Sequence, residues 1–492
     1  MQTSTLDLVI IAVYLVGITL FGCSFYFRKG GKDARTFTTG GGHIPNWAIA
    51  LSIFATQVSS ISFLALPAKA YLTNWNCFVL TLTIPIAAFV AAKWFVPFYR
   101  RSTSVSAYAF LEERFGPWAR IYASLCFLVM QTARSGVILF LLALTLKSAL
   151  GFSCFWIIVV TGIVTMLYSM LGGFKAVIWA DAIQSLILLL GTVAVIVSLC
   201  CNIPGGLGHG FQMAWDAGKF SLGSFSLKEW GIETFWVSFL YGVCINLQNY
   251  GIDQSFTQRY IAAKDDKSAA RSAFSGAMMY IPGTFLFVMV GTLIWMFSAT
   301  HPGLIPAEVA VQSDAVFPWY IVNRLPHGIS GLLVAAIIAA AMSTVAATLN
   351  SGSTVLLEDY YKRFFPAKAA AAGRNIRFLR SMTAVLTVAS ICVAVAVMNV
   401  KSALTAWWGM QSVLSGGMLG LFLLGAYSRR TTSTQAVIAT LLGLLAVIYI
   451  TFGQKILPLP GFIHLNLSIA LGTLTLFFTG WLLATLKRQE KV

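Results

Sequence analysis

Arg134 stands near the middle of residues 121–150, IYASLCFLVMQTARSGVILFLLALTLKSAL, a run that otherwise belongs inside a membrane. About fifteen residues separate it from either end, roughly half a bilayer at ~1.5 Å rise per residue. A guanidinium does not shed its charge, so its surroundings must supply water or an anion. Its planar fork of donors suits a carboxylate held by two parallel hydrogen bonds. The expectation is therefore an anion-binding residue whose anion is a substrate. The alternative is a structural ion pair. Asp181 is the acidic residue well within the apolar runs, and it and Asp253 sit toward the basic end rather than at mid-depth.

A second kind of chemistry comes from oxygens. The run WAIALSIFATQVSSISFLALPAKAY is apolar at both ends, but its middle, ATQVSSIS at 55–62, is polar and small. Irregular backbone at that depth is tolerated where it lines a cavity, and the freed carbonyls become hard ligands for a small cation. The same residues could instead serve close helix packing. The run AAAMSTVAATLNS at 339–351 carries hydroxyls at Ser343, Thr344 and Thr348, and Ser343 and Thr344 could offer two oxygens to the first run. Hydroxyls and carbonyls without a carboxylate fit a monovalent ion better than a divalent one. A third polar break holds Asn246, Gln248, Asn249, Gly251 and Asp253, with Gly251 as the residue that lets the backbone leave the helix. Asp181, read as lying one turn into a helix, is either a cap that suits the helix dipole or part of an ion or proton site.

The elements that carry these groups follow from composition. The chain is 58% hydrophobic and 10% charged, with mean hydropathy +0.81; soluble domains carry about 25% charged residues. The apolar runs are long and continuous, which predicts helices rather than the alternating strands of a barrel. Thirteen spans are expected, near 7–27, 46–66, 77–99, 118–147, 154–172, 178–201, 235–256, 274–298, 327–358, 378–399, 403–427, 433–453 and 464–486. The first is read as a retained span, not a cleaved leader: it lacks a basic start and is followed by Arg28, Lys29, Lys32 and Arg35.

The net charge of +17 reflects topology rather than nucleic-acid binding. Of the 33 lysines and arginines, Lys69, Lys147, Lys219, Lys228, Arg324, Lys401 and Lys455 fall on one side. Lys93 and Arg134 lie within spans, and all the others occupy the loops after odd-numbered spans and the C-terminal tail. The positive-inside rule then puts the N-terminus outside and the C-terminus in the cytoplasm. The cysteines have no metal spacing and imply no disulfide framework.

With these residues in view, GGGHIPNWAIALSIFATQVSSISFLALPAKAY, LGGFKAVIWADAIQ, QSFTQRY and AAAMSTVAATLNS, in this order, resemble the sodium/solute symporters, and most of all the bacterial sodium-coupled sialic acid transporters. The resemblance covers nearly the whole chain. It implies an all-α, leucine-transporter-like fold of five plus five helices in inverted repeats. The first helix is expected at 7–27, the repeats at 46–201 and 235–427, and two added helices at 433–486. It implies Na+ as the coupling ion, held by the carbonyls of Ala55, Val58 and Ala340 and the hydroxyls of Ser343 and Thr344. It implies a small acidic sugar held by Arg134, with Gln57, Ser59 and Ser62 in the wall.

Departures from the pattern matter as well. Gln57 replaces a threonine, and Cys77 and Thr81 replace larger side chains in the same wall. Asp181 matches the acid of a second sodium position, but Ala346 and Ala347 stand where its two serines would be, so one sodium per substrate is expected. Another small carboxylate or sugar-like solute is the alternative substrate. The resemblance places the protein in a bacterial inner membrane, with no nucleic acid and no obligate protein partner. Two rival classes are weighed against transport. An intramembrane hydrolase lacks a base near the mid-span serines, since His43, His209, His301, His327 and His464 lie at span ends or in loops. A passive channel would not need an ion site beside a substrate arginine.

Overall fold

The computed structural model describes residues 4–27, 33–42, 44–102, 104–307, 309, 313–371, 373–398, 403–453 and 463–489. Arg28, Lys29, Lys32, His43, Lys401 and Lys455 lie outside them. The described residues are almost entirely helical, as continuous apolar composition requires where no water can satisfy the backbone. The principal helices are α1 (Thr5–Ser24), α2 (Asn46–Gln57), α3 (Ser60–Leu72), α4 (Pro117–Leu150), α5 (Cys154–Cys201), α6 (Phe235–Ile252) and α7 (Gln254–Ile261). They continue with α8 (Asp266–Thr300), α9 (Ile329–Val355), α10 (Arg374–Val397), α11 (Ala403–Tyr427), α12 (Ser433–Thr451) and α13 (Ser468–Gln489).

Among the described residues, ten helices are long and apolar enough to cross a bilayer, and the pair α2–α3, bent by 54°, makes an eleventh crossing. α5 has 48 residues, about 72 Å at 1.5 Å per residue and more than twice a hydrocarbon core. It therefore supplies two crossings. α6 and α7 meet at a second break and occupy the seventh of the thirteen expected spans, 235–256. The loop expected at 173–177 is absent: helix runs through it, and only Gly173 leaves helical geometry (φ 63°, ψ −164°). The connections after α5 and after α8 also contain short helices, Gly206–Asp216 and Ser313–Arg324.

α9 lies at the centre. Every residue from Ser330 to Val355 with a described position is buried except Leu332. Its run of Ala, Ser, Thr and Gly lets neighbours approach closely, which is how helices associate when lipid removes the hydrophobic drive. α1 is fastened to its start. Asp7 closes a capping box with Ser4, and its carboxylate also accepts hydrogen bonds from the Gly328 and Gly331 amides at 2.7 and 2.9 Å. α8 runs along both halves of the broken crossing; a Cβ on Gly291 would sit 2.9 Å from the Pro67 carbonyl carbon and from Ala70.

Gly173 turns α5 back across the membrane. Its φ lies where L side chains are strained, and a Cβ there would meet the Phe37 ring at 2.8 Å. Gly173→Ala is expected to destabilise the protein by about 1–3 kcal/mol, read as a lower melting temperature in detergent. Gly208→Ala, at an open position with ordinary φ, serves as the reference and should leave the melt unchanged.

Candidate functional site

α2 stops at Gln57 because Val58 and Ser59 adopt extended backbone (φ −77°, ψ 125° and φ −122°, ψ 169°). The serine that ends the break also starts the next helix: Ser59 Oγ accepts the Ser62 amide hydrogen at 3.3 Å, an N-cap. A helix end leaves up to four carbonyls without an intrahelical partner. Phe54 O is taken by the Val58 amide. Three of the carbonyls that follow are met from outside the segment. Ser343 Oγ lies 3.4 Å from Ala55 O, Arg134 Nη2 donates to Thr56 O at 3.4 Å, and Thr344 Oγ1 lies 3.1 Å from Val58 O. Thr344 Oγ1 is also 3.2 Å from Ala340 O.

The five groups picked from sequence for a cation thus meet where the α2 break faces α9, as two neighbouring sets, Ala55 with Ser343 and Val58 with Thr344 and Ala340. All five residues are at most 4% exposed. Their oxygens are hard and uncharged, and among the described residues no cluster of His, Cys, Asp and Glu could hold a metal. The donor set fits a monovalent cation such as sodium and not a transition metal or a bare divalent ion.

Asp181 is neither a cap nor one turn into a helix. α5 resumes right after Gly173, so Asp181 is about two turns further on, fully buried. One carboxylate oxygen accepts from Ser343 Oγ at 2.8 Å; the other accepts from Ser52 Oγ at 2.5 Å and from Arg259 Nη2 at 2.8 Å. Both ionic side chains are 0% exposed. Arg259 uses its other donors on Ser52 O, Ser52 Oγ and Ser255 O. Sequence reasoning counted Arg259 among loop charges and missed this pair. The available signal was an acid and a base both inside apolar helical sequence, which in a membrane are expected to find each other.

The second break also differs from expectation. Gly251 stays helical, packed against Phe95, and the chain leaves the helix at Asp253 (φ −74°, ψ 127°). Asp253 caps α7 through the Ser255 amide at 2.7 Å and accepts from Gln131 Nε2 at 2.7 Å. An acid that ends one helix and caps the next can replace glycine because neither role needs positive φ.

Arg134 contrasts with Arg259. It is partly exposed, and among the described residues its single hydrogen bond is the long one to Thr56 O, with no ion pair. Gln57, partly exposed, reaches Asn246 Oδ1 and Asn249 Nδ2 across the two breaks, both at 3.5 Å. Ser59 and Ser62 Oγ are 3.5 Å apart. The break therefore brings Arg134, Gln57, Ser59 and Ser62 to one region. Cys77 packs instead among Ala70, Trp75, Phe78 and Val288, and Thr81 is buried on the next turn. Neither has a hydrogen bond to Arg134 or Gln57 among the described residues.

Removing one member of a buried ion pair leaves an uncompensated charge. Arg259→Met or Asp181→Leu alone should cost about 3–5 kcal/mol, while the double substitution should recover most of the loss. Thermal unfolding of the four proteins in detergent gives the cycle.

The family model described as the sodium:solute symporter family matches residues 37–443. The sodium/sialic acid symporter SiaT of Proteus mirabilis (strain HI4320) is 30% identical over 465 residues, covering 90% of this chain and 89% of that protein. The sodium/sialic acid symporter NanT of Aliivibrio fischeri (strain ATCC 700601 / ES114) is 29% identical over 91% of this chain and 88% of its own. Human sodium-coupled monocarboxylate transporter 1 is 26% identical over 92% and 74%. Among solved structures, the substrate-bound outward-open state of a Na+-coupled sialic acid symporter superposes with a TM-score of 0.90 at 27% identity, covering 98% of both chains. Mhp1, a nucleobase-cation-symport-1 family transporter in a closed conformation, superposes at 0.58 with 15% identity over 92% and 93%, a likeness of fold. The fold is leucine-transporter-like, the protein is a multi-pass membrane protein, and the chain belongs to the sodium:solute symporter family.

Proposed function

We propose that this protein is a sodium-coupled symporter that imports sialic acid (N-acetylneuraminate) or a closely related sugar acid by alternating access, with one sodium ion per substrate. The observation that carries the reading is Arg134. A guanidinium has five N–H donors, and among the described residues Arg134 makes only one long hydrogen bond, one peptide away from the carbonyls of the cation set. An intramembrane charge with unused donors calls for an anion. The relatives support a carboxylate: they are named for sialic acid and for monocarboxylates.

In this reading the sugar acid docks its carboxylate on Arg134, with Gln57, Ser59 and Ser62 as hydroxyl- and amide-bearing wall. Cys77 and Thr81 flank it and set how much room is left at the far end of the sugar. Sodium sits among Ala55, Val58, Ala340, Ser343 and Thr344. Thr56 O and Ala55 O belong to consecutive residues, so ordering the break for sodium also orders the carbonyl that steadies Arg134. Coupling of this kind requires only that sodium favour the substrate-competent state.

Asp181 acts by positioning Ser343 rather than as a second sodium ligand. Its oxygens already have Ser343, Ser52 and Arg259, and Ala346 and Ala347 add no oxygen. The related sialic acid symporter structure is described as having a novel Na+-site; one sodium is the expectation for this chain. In this reading the C-terminus lies in the cytoplasm of a bacterial cell and the N-terminus outside, which the positive-inside rule supports. The two inverted repeats span 46–201 and 235–427, flanked by 7–27 and 433–486. The polar groups are arranged for binding rather than catalysis.

Uptake of labelled N-acetylneuraminate into proteoliposomes tests the reading. Arg134→Ala is expected to reduce sodium-driven uptake at least a hundredfold, in line with about 3 kcal/mol for a lost charged bidentate pair, with an unchanged melting temperature. Ser343→Ala and Thr344→Ala should raise the sodium concentration for half-maximal uptake about tenfold or more. Undiminished uptake by Arg134→Ala overturns the substrate assignment. A flux ratio of two sodium ions per sugar overturns the stoichiometry.

A further inference from the structure

The third crossing, Trp75–Arg101, is not a simple helix. It widens into a π-helical turn at Ala91–Phe95, which holds Lys93. π-turns in otherwise α-helical segments gather at functional sites. Lys93 has no role in the sodium or sugar reading, and it lies about two turns inside the basic end of its crossing. Its ammonium sits over the rings of Phe89 and Trp94, at 5.4 and 5.3 Å. Trp94 is 52% and Phe98 40% exposed, on the outer face of the helix bundle.

Lys93 and Arg101 line one cavity of about 620 Å³, together with Trp94, Phe98, Ser102 and Phe110. That is within the ~300–1,000 Å³ usual for ligand sites. One acid, Glu113, also lines it. The neighbouring arginines are engaged. Arg100 binds Asp266 and the carbonyls of Tyr260 and Ala263; Arg114 binds the carbonyls of Gly425 and Ser428; Arg120 binds Glu112 and Asp359. Lys93 and Arg101 make no hydrogen bond or ion pair to a protein group through their side chains among the described residues.

We propose that this cavity binds the headgroup of an anionic phospholipid from the leaflet at the basic end of the bundle. The phosphate lies between Lys93 and Arg101, Ser102 offers a hydroxyl, and the acyl chains run down the exposed faces of Trp94 and Phe98. The chemistry is that of basic pockets between transmembrane helices, where a lysine stem lies along apolar surface and its ammonium meets a headgroup. Aromatic rings at the membrane–water boundary mark the right depth. The charge complementarity selects a phospholipid with net negative charge over a zwitterionic one. Because the same crossing packs against the second break, where Phe95 touches Gly251 and Tyr99 Oη donates to Gly251 O at 2.8 Å, bound lipid steadies the cytoplasm-facing side of the broken helix.

Native mass spectrometry of the purified full-length protein, titrated with phosphatidylglycerol and separately with phosphatidylcholine, tests this. The wild type is expected to retain phosphatidylglycerol at a lipid concentration where phosphatidylcholine is lost. K93Q/R101Q should weaken phosphatidylglycerol roughly thirtyfold, since each basic group near the surface contributes about a fivefold factor. R429Q/R430Q, an exposed basic pair in another turn, should change it less than twofold. If the double variant does not fold, K93Q alone must still weaken binding about fivefold. The proposal is overturned if K93Q/R101Q behaves like R429Q/R430Q, if phosphatidylcholine binds equally, or if inorganic phosphate displaces the lipid.

Discussion

A helix broken inside a membrane exposes carbonyls that water cannot reach, and the arrangement around Val58 and Ser59 answers that constraint. Thr56 O accepts from Arg134 and Val58 O from Thr344, while Ala55 O faces the Ser343 hydroxyl, whose shorter hydrogen bond goes to Asp181. Each unsatisfied group at that depth would cost several kcal/mol, so the break persists only because α4 and α9 present polar side chains at matching heights. The same carbonyls are the oxygens a small cation needs. Stability of the break and binding of the ion therefore draw on one set of atoms, and a change in one must alter the other.

The two intramembrane arginines show how the same side chain takes opposite roles. Arg259 is wholly buried, its guanidinium shared among Asp181, Ser52 and Ser255. It can do little except hold the inner half of the second broken crossing against α2 and α5. Arg134 is partly exposed and, among the described residues, makes one long hydrogen bond, so most of its donors remain available. Between them lies the Ser343 hydroxyl, which touches both Asp181 and Ala55 O. Through that hydroxyl the rigid buried pair and the break share a residue, which gives a contiguous physical route from the cation set to the second break.

Much of this was legible in the sequence. The apolar crossings followed from hydropathy, because their length and composition are set by the bilayer rather than by partners. Ser343, Thr344 and the 55–62 break stood out because oxygen-rich residues at mid-depth in two apolar helices must either line a cavity or pack helices closely. What sequence could not give was who satisfies whom. Arg259 looked like one more basic loop residue, since its partner is 78 positions away and reaches it only after α5 folds back. Gly251 looked like the hinge because glycine is permissive, yet Asp253 can end a helix and cap the next one. The missing loop at 173–177 has the same origin: a single glycine at positive φ reverses a helix without a polar linker. The packing of Cys77 beside Trp75 and Phe78 was likewise not legible, since it depends on Val288 from a distant helix.

The central claim is that the cation set and Arg134 are linked through the carbonyls of the α2 break. Calorimetric titration of the purified protein with N-acetylneuraminate at several sodium concentrations, and with sodium at several sugar concentrations, tests it most directly. Linkage requires each ligand to raise the affinity for the other by the same factor, and the account predicts a factor of about ten or more, the coupling range of roughly 1–3 kcal/mol. In Thr344→Ala that factor should collapse toward one. Independent binding of the two ligands in the wild type, or a coupling factor unchanged by Thr344→Ala, would contradict the account.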